Sequence, residues 1–121
     1  MSIPARLFQH ELDSTSTDLT VAEHLFTAPE GGPTMVTALW LAPSQGATNN
    51  VVRLHHLLPV GDGDPASSNV MFRGTVSNDD TLNKHFDSCK IIMQPGERLY
   101  GQLHAGTAVV VSAYGIIPRN A

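Results

Sequence analysis

The stretch IIMQPGERLYGQLHAGTAVVVSAYGII, residues 91–117, decides how this chain folds. It holds three apolar runs separated by two turn signals, Gln94–Glu97 and His104–Gly106. Proline presets φ at one central turn position and glycine accepts positive φ at the next, so Pro95–Gly96 reads as a type II turn. The runs Arg98–His104 and Ala108–Ile117 are of strand length and rich in residues that favour strands. In Ala108–Ile117 both faces carry apolar groups, which marks a central strand.

Working outward, the same punctuation recurs. Gly/Pro/Asn/Asp/Ser clusters fall at 13–18, 29–33, 43–50, 61–69 and 77–80. Between them the sequence predicts strands at Thr20–Thr27, Met35–Ala42, Val51–Pro59, Val70–Val76, Thr81–Phe86 and Lys90–Met93, with a weaker one near Leu7–Glu11. No window sustains helical spacing with caps, although Thr17–Phe26 admits one helical turn begun by Thr17 or Asp18. The expected fold is all-β: an antiparallel β-sandwich or jelly-roll-like barrel of about eight short strands. Residues 1–19 read as an extended N-terminal arm and residues 20–121 as a single β-sandwich domain. Within Met35–Ala42, alternation puts Met35, Leu39 and Leu41 on one face and Val36, Ala38 and Trp40 on the other. Trp40 is therefore expected to be buried. Two strands apolar on both faces also point to self-association.

Composition narrows the function classes. With 121 residues, 41% hydrophobic, and a mean hydropathy of -0.05, the chain matches an ordinary globular domain. One cysteine, Cys89, excludes an intrachain disulfide and fits assembly in a reducing compartment. The N-terminus lacks the apolar core of a signal peptide, and no apolar run approaches the about 20 residues of a spanning helix, so no membrane is expected. The net charge is -4 and the seven Lys/Arg residues form no run, so no nucleic acid is expected as a partner.

The chemistry-bearing residues do not assemble into a motif. Six histidines invite a metal hypothesis, but His55 and His56 are consecutive in a strand and point to opposite faces. His10, His24, His85 and His104 fall on separate elements without ligand spacing. A metal-dependent cupin-like enzyme, the least favoured alternative, lacks its ligand motifs here: no glutamate closely follows His55–His56, and QPGERLY (94–100) lacks the histidine. His85 and Cys89 on a strand would stand about 13 Å apart, too far for a thiolate–imidazole pair. The GDGD run (61–64) lacks the remaining oxygen ligands of an EF-hand and reads as a polar turn. No enzyme activity, cofactor, metal or small-molecule substrate is expected.

The order of turns carries a resemblance. FTAP (26–29) precedes a glycine-containing turn, the long strand TMVTALWLAP (34–43), a small-residue turn and NVVRLHHLLP (50–59). The last part, IIMQPGERLYGQLHAGTAVVVSAYGI (91–116), sets a Pro-Gly-Glu turn before a short Ala/Gly turn and a valine-rich strand ending in glycine. This resembles the small β-sandwich virion structural proteins of tailed bacteriophages, over roughly residues 20–117. The resemblance implies a capsid decoration (cement) protein that binds across major capsid subunits and stabilises the shell. Its implied partners are the major capsid protein and itself, as a homo-dimer or homo-trimer. Its implied location is the capsid surface of a virion assembled in the host cytoplasm. The alternative is a tail, neck or fibre module for attachment to a host-surface glycan or protein. Leu7, Phe8, Trp40, Tyr100 and Tyr114 are the expected core or interface anchors, because aromatic and large apolar side chains dominate such contacts.

Overall fold

The computed structural model describes residues 2–13, 15–16, 22–45, 49–57, 70–76, 82–85 and 91–118. Among these it contains nine strands and no helix: β1 (Ser2–Leu12), β2 (Glu23–Thr27), β3 (Thr34–Gln45), β4 (Asn50–Leu57), β5 (Val70–Val76), β6 (Leu82–His85), β7 (Ile91–Met93), β8 (Arg98–Ala105) and β9 (Ala108–Pro118). All strand ladders are antiparallel. One sheet follows β1-β9-β3-β6, with β7 also on β3; the other follows β2-β8-β4-β5. β6 pairs with Ala38–Leu41 and β7 with Thr34–Val36, so two short strands share one edge of β3. This is the strand order of a jelly roll, two interleaved Greek keys forming a β-sandwich. The barrel form does not arise, since no strand ladder joins the two sheets among the described residues.

The core lies between the sheets. Leu39 and Leu41 of β3 and Val109 and Val111 of β9 meet Leu54 of β4 and Leu103 of β8, all without solvent exposure. Burying each leucine contributes about 1.5–3 kcal/mol. As their two-sided apolar patterns predict, β3 and β9 occupy the interior of their sheet.

Two expectations need correction. The first concerns the N-terminal arm. Residues 2–12 do not extend away from the domain: they pair with β9 from Ser2↔Pro118 to Leu12↔Val109, and Leu12 is fully buried in the core. Thr15 then bridges Leu103, and Ser16 N–H donates to the Leu103 carbonyl at 3.0 Å. The second concerns β3, whose register shifts between Val36 and Ala38. An irregularity of one residue exchanges the faces. Val36 therefore joins Leu39 and Leu41 inside, while Met35 shares the outer face with Ala38 and Trp40, and Trp40 is 41% exposed.

Both turns of the deciding stretch form. Glu97 N–H donates to the Gln94 carbonyl at 3.0 Å, with Gly96 at φ 87°. At the β8–β9 turn, Gly106 has φ 114°, and a Cβ there would meet the side chain of Asn50 and lie 2.7 Å from its Cα. Asn50 is fully buried and its Oδ1 accepts from Thr107 N–H at 2.9 Å, so the close approach serves a hydrogen bond. The possible helical turn at Thr17–Asp18, the loop at 61–69 and Cys89 lie outside the described residues.

Candidate functional site

Two outer sheet faces carry the features that bear on function. On the five-stranded sheet, register alone arranges the outward side chains in rows. Ile92, Met35 and Ile116 form one; Ala38, Tyr114 and Arg6 the next; then Trp40, Ser112 and Gln9; then Ala42, Val110 and Glu11. Successive rows lie about 7 Å apart along the strands. Ile92 is 53% exposed and Tyr114 38%, so with Trp40 the large exposed apolar side chains of the described residues all fall on this one face. Trp40 is turned outward because Leu39 and Leu41 on either side of it enter the core. The β1 side is polar: Gln9 Nε2 donates to Ser112 Oγ at 3.2 Å, and Arg6 and Glu11 are exposed.

The outer face of the second sheet has a different chemistry. Tyr100, half-buried, meets His24 edge-on with ring centroids 5.4 Å apart, and the Arg98 guanidinium lies 5.7 Å from its ring centre. His55 pairs in register with Tyr100 and is fully buried, whereas His56 pairs with the core residue Leu99. The consecutive histidines thus point to opposite faces, as strand alternation requires. Further along, Arg53 stands opposite Arg73 on β5 and opposite the buried Gln102 on β8. Burial first, and then the charges of Arg53 and Arg73, lower the pKa of His104 from the usual imidazole value.

Three further histidines hold structural pairs, while the side chain of His85 lies outside those described. His10 Nε2 lies 3.0 Å from Glu23 Oε1, linking β1 to β2 across the sandwich. His56 Nε2 lies 2.7 Å from Glu97 Oε1, tying β4 to the Pro-Gly turn. His24 Nε2 is 2.6 Å from Thr27 Oγ1. Among the described residues no three His, Cys, Asp or Glu side chains gather to hold a metal ion, and no helix is long and apolar enough to cross a membrane.

The five expected anchors separate. Leu7 and Phe8 pack against the core, and Phe8 stacks on Phe26 of β2 with centroids 5.9 Å apart. Trp40 and Tyr114 come together on the outer face of the five-stranded sheet, in neighbouring rows. Tyr100 lies on the other sheet and does not join them. Sequence reading missed Ile92 and Met35, because only the pairing of β7 with β3 places them beside Ile116. It also missed the opposition of Arg53 and Arg73, which depends on the β4–β5 register.

Comparison with known proteins adds no relative: no family model and no curated protein matches this chain. The arrangement itself sets the large exposed apolar side chains on one outer face and Arg53, Arg73 and Arg98 on the other.

Proposed function

We propose that this chain is a non-catalytic structural protein of a tailed-phage particle, a capsid decoration protein that self-associates and binds across major capsid subunits. The phage setting rests on the resemblance in turn order. What supports an assembly role is one observation: Trp40, Tyr114 and Ile92 are exposed together on the outer face of the five-stranded sheet. Exposed large apolar groups gathered on one face mark contact sites more than scattered ones do. The face is also self-complementary. A two-fold axis through the Trp40 row, lying across the strands, inverts the row order and sets Arg6 opposite Glu11 of a second copy. Residue i then meets j and j meets i, as a closed dimer requires.

Purified protein added to expanded shells that lack it should bind and raise their melting temperature, as any ligand preferring the assembled state does. No binding and no stabilisation would sink the decoration role. Self-association is tested by light scattering, with Trp40→Ala expected to shift the dimer toward monomer.

A second reading, attachment to a host-surface glycan, is favoured by the exposure of Trp40, since sugar rings stack on accessible aromatic platforms. A glycan-array signal abolished by Trp40→Ala, without any binding to shells, would select it.

A further inference from the structure

We propose that Arg53, Arg73 and His104 form a binding site for a phosphate dianion on the outer face of the four-stranded sheet. Arg53 and Arg73 are direct register partners on β4 and β5. Side chains so placed have Cβ atoms about 5 Å apart, and like charges directly opposite each other are destabilising. Proteins usually relieve such a juxtaposition with a carboxylate. Here Glu23 lies against His10 and Glu97 against His56, so these two carboxylates are engaged elsewhere.

The surroundings sharpen the charge. Arg53 is half-buried, and its neighbour across β8 is Gln102, which is 2% exposed. Partial burial of Arg53 strengthens both its repulsion by Arg73 and its attraction for any anion. His104 supplies a third group. It lies two positions beyond Gln102 on β8, at the register shift opposite Val51 and Val52, and its buried Nδ1 has no hydrogen-bond partner among the described residues. Two guanidiniums offer forked N–H donors with a charge that a phosphate dianion balances, whereas one carboxylate balances half of it. The site lies on the sheet opposite the apolar face, so it stands or falls independently of the assembly role.

The test is a titration of the full chain, followed by amide NMR, with sodium phosphate, sodium acetate or sodium chloride at matched ionic strength. Phosphate should give saturable shifts centred on Arg53, Arg73 and His104, acetate and chloride should not saturate, and Arg73→Gln should weaken phosphate binding about tenfold or more. Arg73 is exposed, so this variant keeps the fold. Without phosphate it should melt no lower than the wild type, because it removes a repulsion. The proposal is overturned by an absence of saturation with phosphate, by equal responses to acetate, by unchanged phosphate affinity in Arg73→Gln, or by a lower melting temperature of that variant in phosphate-free buffer.

Discussion

His104 illustrates how a single side chain couples the fold to its solution conditions. Burial and the two nearby guanidiniums hold its imidazole below the ordinary value of about 6.5. The folded chain therefore binds this proton less readily than the unfolded one. Stability rises with pH through the window between the lowered folded pKa and about 6.5, and is lost as pH falls through it. Urea melts at about pH 5.5 and about pH 7.5 should show a smaller difference in His104→Gln than in the wild type. Arg73→Gln should reduce the difference in part, since it removes one of the two charges. An unchanged difference in His104→Gln would assign the acid sensitivity elsewhere. Trp40 teaches a complementary lesson. Its place in a strand apolar on both faces suggested burial, but its direction is set by Leu39 and Leu41, and only the irregularity at Val36–Ala38 tells which neighbours share its side.

Elements were legible where turn chemistry and alternation agreed. Val70–Val76 forms a strand with the expected limits, and the Gln94–Glu97 turn has the expected hydrogen bond. β1 was underestimated because Arg6, Gln9, His10 and Glu11 dilute its apolar residues. Its stability comes from a partner near the other end of the described chain, which no local pattern displays. The groupings on the outer faces were less legible still: Ile92, Met35 and Ile116, like Arg53 and Arg73, are distant in sequence and meet only through register. The β8–β9 turn yields a sharp expectation at this scale. Gly106→Ala forces a side chain into a left-handed backbone and against Asn50, so it should destabilise by about 1–3 kcal/mol in urea unfolding. A change within a few tenths of a kcal/mol would mean that the turn relaxes around the methyl group.

For the whole molecule, the jelly roll creates two outer faces of unlike chemistry, one apolar and one basic. If the apolar face joins two copies with Arg6 against Glu11, reversing one charge should weaken the dimer about threefold and reversing both should restore it. Sedimentation of Arg6→Glu, Glu11→Arg and the double variant checks this, and failure of the double variant to recover would exclude the two-fold arrangement. The pairing of β1 with β9 has a further consequence, one of colloidal behaviour. β1 is the cover on the open flank of a valine-rich strand that belongs in a sheet interior. A chain shortened by residues 1–12 would display the unpaired amides and carbonyls of β9 as a template for strands from other molecules. Such a truncation should yield amyloid-like, thioflavin-binding aggregates in place of a smaller soluble domain. A proteolytic cut after Leu12 would be harmless only while the released strand stayed in its place.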